Sequence, residues 1–199
     1  ALNYGEANQL RIVVNNAHNT DIPPLDADFN FYGGIYRDLQ LILTNQIHFE
    51  LENEATGNML IKTPEVSAEK AQITFETEIV NHSKVSKDLQ VSVDIFNPEK
   101  RKIETLSKKV QLPPAETKSV NFSKIITDPD LWSPDSPKLY EAVAKISEEN
   151  SEEILDEIDS KFGLRWFEVS TEKGFVLNGK PIKLIGANRH QDFKGLGNA

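Results

Sequence analysis

The chain of 199 residues contains no cysteine, and this absence removes several kinds of site. Without thiol groups there can be no disulfide bond, no thiolate metal site and no cysteine nucleophile. The chain also lacks any run of about 18 apolar residues, the length that a membrane-spanning helix requires. Residues 1–6 show neither the basic start nor the apolar stretch of a signal peptide. The sequence therefore predicts no membrane segment, and it leaves the cellular compartment open.

Positive charge is scarce as well. The chain has 22 lysines and arginines against 31 aspartates and glutamates, which gives a formal net charge of −9. No basic stripe interrupts this excess of acids, so we expect neither nucleic acid nor an anionic membrane as a partner. The charges are scattered along the chain, which is typical of solvated strand faces.

Helical periodicity is missing, and residues 45–167 alternate between apolar and polar side chains instead. Residues 70–81 place Ala71, Ile73 and Phe75 on one face, with polar side chains between them. A period of two over this length is typical of a half-buried strand. The pattern returns in about seven segments separated by turn signals, which predicts a β-sandwich.

The region before this sandwich has few strands of its own. Residues 10–14 and residues 39–43 are predicted strands, rich in β-branched and other apolar side chains. Two strands in about 44 residues make a poor independent fold. We therefore expect residues 1–44 to lean on the next domain or to expose unpaired edges.

The last residues combine a turn, an apolar strand and a polar cluster. Asn178 and Gly179 favour a tight turn, because both residue types tolerate positive φ. Residues 180–186 are predicted to form a strand, and polar side chains fill residues 188–192 directly after it. A buried strand that delivers polar groups at its carboxyl end is how an α/β barrel begins its catalytic face.

Three blocks of the sequence together resemble glycoside hydrolase family two, the family of the large β-galactosidases, β-glucuronidases and β-mannosidases. One block is the pattern F-x-L-N-G-K-P-I, then a strand, then N-R-H-Q-D, which here begins at Phe175 and ends at Asp192. The other blocks lie upstream in the family's order, at residues 28–37 and at residues 131–140 followed by residues 162–165. The resemblance covers nearly the whole chain.

The resemblance implies an all-β fold class with three regions. Residues 1–44 correspond to the C-terminal part of a jelly-roll sugar-binding domain. Residues 45–167 correspond to an immunoglobulin-like β-sandwich, and residues 168–199 to the start of the (β/α)8 catalytic TIM barrel with its first strand. The implied parent is a retaining hydrolase of terminal β-glycosides that uses two carboxylates about 5 Å apart. β-Galactoside is the expected substrate, with β-glucuronide and β-mannoside as the alternatives.

The family places both catalytic glutamates on later barrel strands. We therefore expect no catalytic residue in this chain, and no hydrolysis by the chain alone. The sandwich is expected to act as a spacer that fixes the sugar-binding domain against the barrel.

Three residues are candidates for contact with the sugar. His190 matches the family histidine that hydrogen-bonds a sugar hydroxyl beside the transition state. Asp192 lies near an acid that accepts bonds from sugar hydroxyls in related enzymes. Asp28 matches an aspartate that reaches into the active site and can help to hold a sodium ion. The simpler roles are a strand-end cap for His190 and a loop cap for Asp28. We expect no metal site in this chain and no cofactor beyond a sodium or magnesium ion in the full-length parent.

Other polar and aromatic residues have structural roles in this interpretation. Trp132 could stack on a sugar, but we expect it to pack with Tyr140 at the base of a rigid Ser-Pro-Asp-Ser-Pro turn. Arg165 is predicted to donate an ion pair at a domain interface, and Asn188 and Arg189 to hold their loop. The spacing of His18, His48 and His82 does not suggest a metal site. All three are expected in loops or at the surface.

A second class of function stays open at this stage. The chain could be a non-catalytic β-sandwich module that binds carbohydrate or a protein partner. Exposed aromatic side chains along one sheet face would favour that class, whereas most aromatics here fall at expected core positions. A carbohydrate substrate is the expected partner of the parent, and assembly into a homo-oligomer is left open.

Overall fold

The computed structural model describes residues 3, 5–22, 33–35, 38–51, 58–151, 153–189 and 195. Within these ranges the only regular elements are strands, which confirms the predicted all-β class. The eleven strands are β1 (Ile47–Phe49), β2 (Met59–Val66), β3 (Lys70–Asn81), β4 (Lys87–Phe96), β5 (Lys102–Leu112), β6 (Thr117–Thr127), β7 (Tyr140–Glu148), β8 (Ile154–Phe162), β9 (Phe167–Ser170), β10 (Gly174–Leu177) and β11 (Lys180–Pro181). The chain divides into two compact units, residues 43–184 and residues 1–42 with 185–199.

Two antiparallel sheets form the sandwich. In the first sheet β3 is central, with β6 along one edge and β2 and β1 end to end along the other. The second sheet has the order β5-β4-β7-β8. The chain changes sheet between β3 and β4, between β5 and β6, and between β6 and β7. Such crossings are typical of an immunoglobulin-like sandwich, and the predicted sandwich is confirmed.

The chain runs the length of the sandwich seven times, counting β1 and β2 as one pass. It enters at Ile47, which pairs with Asn81 at the last position of β3. It leaves after Phe162, which pairs with Tyr140 at the first position of β7. Because the number of passes is odd, entry and exit lie at opposite ends of the sandwich.

The alternating sequence pattern builds the core between the two sheets. Ile73 and Phe75 of β3 are fully buried on the inner face, as are Val91 and Val93 of β4. Phe75 meets Phe162 of the second sheet edge-on, with 6.1 Å between the ring centroids. Each fully buried side chain of this size contributes roughly 1.5–3 kcal/mol relative to an exposed one. The inner faces therefore hold the two sheets together by apolar burial.

Two buried polar side chains are satisfied within the sandwich. Asp94 of β4 accepts hydrogen bonds from Thr105, Lys102 and Lys145 on the neighbouring strands. Burial alone would raise the pKa of Asp94, but these three donors outweigh it and hold the pKa below its usual value. Asn81 is fully buried and bonds the backbone of the β3–β4 loop and of Leu112 at the end of β5.

His48 differs from the expected loop or surface position, and that expectation was wrong. It belongs to β1, is only 7% exposed, and its Nδ1 atom has no hydrogen-bond partner. The ring of His82 meets it edge-on with 5.2 Å between centroids. Burial lowers the pKa of His48, the nearby Asp156 carboxylate raises it in part, and His82 lowers it further. A three-residue strand beside β3 was too short to be detected from periodicity.

A small third sheet follows the sandwich in the order β11-β10-β9. Its turn lies at Asn178 and Gly179, whose φ angles are 49° and 78°. Positive φ at both central residues is the requirement of a type I′ hairpin turn, and it confirms the predicted turn. Phe167 and Phe175 stack on this sheet with centroids 5.9 Å apart.

Two predicted strands are not observed, and a third is shorter than predicted. Residues 10–14 and residues 39–43 have no regular structure, and most of their apolar side chains are exposed, including Leu41 at 79%. Residues 180–186 form a strand only over Lys180–Pro181, and Ile185 is 86% exposed. A strand needs a partner for its backbone ladder. Among the described residues, residues 10–14 and 39–43 have no partner, and residues 180–186 have one, β10, only as far as Ile182. The predicted boundaries 44/45 and 167/168 stay predictions.

Candidate functional site

The three expected sugar contacts, Asp28, His190 and Asp192, lie outside the residues that the structure describes. Their roles therefore stay predictions, as do the sodium ion that Asp28 would help to hold and the alternative magnesium ion of the parent. Asn188 and Arg189, beside His190, are exposed and belong to no strand.

The Gly-Gly block after Asp28 is described in part. A Cβ atom at Gly33 would lie 2.8 Å from the side-chain carbon of Asn16, which is closer than real Cβ contacts allow. Gly34 has a φ of 105°, in the region that favours glycine. At Gly33 the backbone therefore passes close to the segment that contains Asn16.

The described part of the chain brings functional motifs together at the exit end of the sandwich, at a site that we call the junction. It comprises Trp132, Leu164, Arg165, Trp166 and Asn178. The backbone N–H of Trp132 donates to the carbonyl of Leu164 over 2.8 Å. Leu131 and Leu164 also form an isolated parallel bridge. The turn before β7 is thus tied to the segment that follows β8.

Asn178 joins the hairpin turn to both of these segments. Its Nδ2 donates to the carbonyl of Trp132 over 2.9 Å, and its Oδ1 accepts from the backbone N–H of Trp166 over 3.1 Å. Its own N–H donates to the carbonyl of Trp166 over 3.0 Å. Each such bond contributes roughly 1 kcal/mol net when both partners are withdrawn from water. One half-buried side chain therefore holds three segments together.

An arginine–tryptophan stack covers the junction. The guanidinium carbon of Arg165 lies 4.7 Å from the centroid of the Trp132 ring. Arg165 has no ion-pair partner among the described residues, and its predicted ion pair at a domain interface stays a prediction. Trp132 is half-buried, whereas Tyr140 is buried and accepts a hydrogen bond from the Asp130 N–H over 2.9 Å. The stack leaves no open tryptophan face for a sugar on that side.

Gly163 is required by the same packing. A Cβ atom at this position would lie 2.9 Å from the Cβ atom of Trp132. Both atoms belong to the stiff inner part of their residues, so neither could move aside cheaply. The Phe162-Gly163-Leu164-Arg165 block is thus explained by close approach to Trp132.

A shallow groove of about 480 Å³ lies beside the Ser-Pro-Asp-Ser-Pro turn. The side chains of Lys100, Lys138 and Lys161 line it together with Glu99. Lys100 is paired with Glu141, and this hydrogen bond lowers the pKa of Glu141. Lys138 is paired with Asp130, and that bond raises the pKa of Lys138. Three ammonium groups are thus balanced by three carboxylates, and no aromatic ring lines the groove. The groove has neither the charge of an anion site nor the platform of a sugar site.

The described ranges contain neither a metal-ligand cluster nor a membrane-spanning helix. No group of three or more histidine, aspartate or glutamate side chains there is arranged to hold a metal ion. A helix of membrane-spanning length and apolarity does not occur among those residues.

Comparison with known proteins agrees with this architecture. The sequence profile of glycosyl hydrolases family 2 matches residues 59–165, which is more than half of the chain and runs from β2 to the junction. The chain belongs to this family. The predicted family resemblance is thereby confirmed.

Relatives within glycosyl hydrolase family 2 carry two kinds of name. A β-glucuronidase of Bacteroides fragilis is 31% identical over 198 residues, which are 98% of this chain and 28% of the relative. A β-galactosidase of Thermoanaerobacter pseudethanolicus is 29% identical over 208 residues, covering 100% of this chain and 25% of the relative. The chain spans about a quarter of the length of these curated relatives.

A solved structure of the same family superposes closely. The β-glucuronidase 2 of Bacteroides uniformis, covalently bound to cyclophellitol-6-carboxylate aziridine, matches with a TM-score of 0.88 at 36% identity. The match covers 92% of this chain and 22% of that structure.

Sequence reasoning missed the junction. The Asn-Gly pair was explained by its backbone angles alone, which gave no reason to expect side-chain bonds from Asn178. The signal that could have found it is the co-occurrence of the Trp-Ser-Pro, Phe-Gly-Leu-Arg and Asn-Gly-Lys blocks in one chain.

Proposed function

We propose that the protein containing this chain is a retaining glycoside hydrolase of terminal β-glycosides. The observation that carries the proposal is the family 2 match over residues 59–165, together with relatives named as β-glycosidases that align with 92–100% of the chain. Covalent capture of the Bacteroides uniformis relative by an inhibitor supports a covalent nucleophile, as expected of retaining hydrolysis.

β-Glucuronide is the first candidate substrate. The relatives named β-glucuronidase reach 31% identity in sequence and 36% among solved structures. β-Galactoside, the substrate expected from the sequence, is the second candidate, because relatives named β-galactosidase align with the whole chain at 29% and 31% identity, below the 36% of the solved β-glucuronidase. The two sugars differ in the configuration at C4 and in the group at C6, where glucuronic acid has a carboxylate that a basic side chain elsewhere in the parent would have to recognise.

The sandwich and the junction have a spacer role in this proposal. They form one β-body between the chain before Leu43 and the chain after Leu184, and we expect them to supply no acid/base or nucleophile. We expect the isolated chain to hydrolyse no glycoside.

The test is a panel of aryl β-glucuronide, β-galactoside and β-mannoside with the parent protein, and with the 199-residue chain as control. Release of the aryl group from one glycoside by the parent, and from none by the chain, is the expected result. Proton NMR of the first product should show the β-anomer, because a retaining enzyme inverts twice. Turnover by the chain alone, or an α-anomer as first product, would contradict the proposal. Sugar binding without turnover by the parent would favour the non-catalytic alternative.

A further inference from the structure

Asn178 is the one side chain of the junction that bonds two segments of the chain at once. Its amide nitrogen reaches the carbonyl of Trp132 in the turn before β7, and its amide oxygen receives the N–H of Trp166 after β8. The residue itself forms the first position of the β10–β11 turn. Sandwich, connecting segment and hairpin are therefore fixed at one point.

Asparagine is the residue type that meets all three requirements of this position. It tolerates the observed φ of 49°, and it offers a donor and an acceptor on one short side chain. Aspartate would keep the acceptor but lose the donor, and glycine would keep the backbone angle but lose both bonds. The turn alone would be satisfied by glycine, so the side chain has a purpose beyond the turn.

The position of β11 depends on this fixed point. β11 contains only Lys180–Pro181, and its ladder is closed by the Ile182 N–H, which donates to the carbonyl of Phe175 over 2.9 Å. From Ile182 the chain continues without regular structure through Arg189 towards His190. So short a strand cannot hold its own direction, and its anchor is the hairpin turn.

We propose that Asn178 is a positioning residue of the glycosidase: it fixes the β10–β11 hairpin on the sandwich and so sets where the chain departs towards the expected sugar contacts. This inference rests on the proposed function for its effect on catalysis. Misplacing a substrate-contacting segment by about 1 Å can reduce an enzymatic rate by roughly 100-fold, even when the change lies far from the reacting atoms.

The catalytic test uses the parent protein with Asn178→Gly, which keeps the turn and removes both side-chain bonds. The matched control is Asn150→Gly. Asn150 also has a left-handed φ, 64°, but lies in the β7–β8 turn at the other end of β8, roughly 30 Å away at about 3.3 Å per residue. Active sites are titrated with an inhibitor that binds covalently to the nucleophile of β-glycosidases. Each rate is then divided by the number of titrated sites, so that misfolded protein does not lower the measured kcat.

The expected result for Asn178→Gly is a KM raised about tenfold and a kcat per titrated site lowered about tenfold, within the range for a misplaced binding segment. Asn150→Gly should leave both constants within a factor of about two. A merely structural loss would lower the number of titratable sites and leave KM and kcat per site unchanged. That outcome would overturn the proposal.

Hydrogen exchange on the 199-residue chain tests the anchor without catalysis. In Asn178→Gly the Trp166 amide, which loses its acceptor, should exchange at least about tenfold faster, together with the amides of β10. The amides of β3 should not change. An unchanged Trp166 amide would overturn the anchor itself. If instead the wild-type parent hydrolyses no glycoside in the panel, the proposed function fails. The hydrogen-exchange result would still test whether Asn178 anchors the hairpin.

Discussion

At the scale of single residues, the sandwich contains two buried ionisable side chains in opposite environments. Asp94 is surrounded by donors and keeps its charge, with a lowered pKa. His48 has an unpaired Nδ1 and a lowered pKa, because burial penalises its charged form more than Asp156 and Glu50 favour it. The contribution of Asp94 to stability is lost as the pH falls through the acidic range, because its folded pKa is lowered. The contribution of His48 is lost as the pH falls below neutrality.

The pH dependence of stability tests the state of His48. Its unfolded pKa is about 6.5 and its folded pKa lies below that value. The unfolded chain therefore binds the proton more readily. The contribution to stability is complete above the unfolded pKa of about 6.5, and it is lost as the pH falls from there through the folded pKa. His48→Phe, which keeps an aromatic ring and removes the titration, should show a smaller fall in thermal midpoint between about pH 7.5 and about pH 5.5 than the wild type.

His18→Gln is the control for that measurement, because His18 is exposed and lies outside the sandwich. It should reproduce the pH slope of the wild type. If His48→Phe kept the full wild-type slope, another group would have to be responsible for it.

The junction shows which residue roles can be predicted from sequence. The turn at Asn178 and Gly179 was predictable, because local backbone angles select the residue types that tolerate them. The bonds from Asn178 to Trp132 and Trp166 were not predictable, because their partners are separated by up to 46 positions. The stacking of Arg165 on Trp132 was not predicted either. An arginine in the sequence can pair with a carboxylate or stack on an aromatic ring, and the sequence does not distinguish the two.

At the scale of elements, alternation predicted those strands that have a partner strand. β3 was predicted at residues 70–81 and is observed at the same bounds, because its inner face is buried and its two edges are paired. Residues 10–14 have comparable β propensity but no partner among the described residues, and they form no strand. Alternation records which side chains are buried, whereas a strand also needs a second backbone to bond.

Asn81 links the β3–β4 loop to the end of β5 at the entry end of the sandwich. Its Nδ2 donates to the carbonyls of Val85 and Leu112, at 2.9 and 3.0 Å, and its Oδ1 accepts from the Ser83 N–H at 2.9 Å. Because Leu112 belongs to the other sheet, this side chain ties β3 to β5. Asn81→Ala should therefore lower the free energy of unfolding by about 2–3 kcal/mol, since it leaves buried backbone groups without partners.

Urea unfolding measures this loss as a lower midpoint at unchanged slope. The control is Asn97→Ala, whose Oδ1 accepts a single bond from the Arg101 N–H in an exposed turn. It should lose less than about 1 kcal/mol. Equal losses in the two variants would mean that the link between the sheets adds nothing to an ordinary turn bond.

At the scale of the whole molecule, apolar side chains outside the sandwich are unusually exposed. Leu10, Val13, Leu39 and Leu41 are each more than 60% exposed in the unit that contains residues 1–42. The sandwich unit has its own continuous core, which includes residues of both sheets. Exposed apolar segments of this kind favour association between molecules.

A chain limited to residues 43–184 should keep the stability of the sandwich and lose the tendency to associate. We expect its thermal midpoint to lie within about 3 °C of that of the 199-residue chain, because the core is unchanged. Light scattering should give a monomer at concentrations where the longer chain forms larger species. A loss of cooperative unfolding on truncation would show that the sandwich depends on the removed segments.

The odd number of passes through the sandwich has a mechanical consequence. A pull on the two ends of the sandwich, at Ile47 and at Phe162, runs along the strands. The ladders of β1 with β3 and of β8 with β7 are then loaded in shear, and their hydrogen bonds must break together. With an even number of passes, both ends would emerge side by side and the same pull would open the ladders one bond at a time. The connectivity of the sandwich therefore favours resistance to force in shear over sequential opening of its strands.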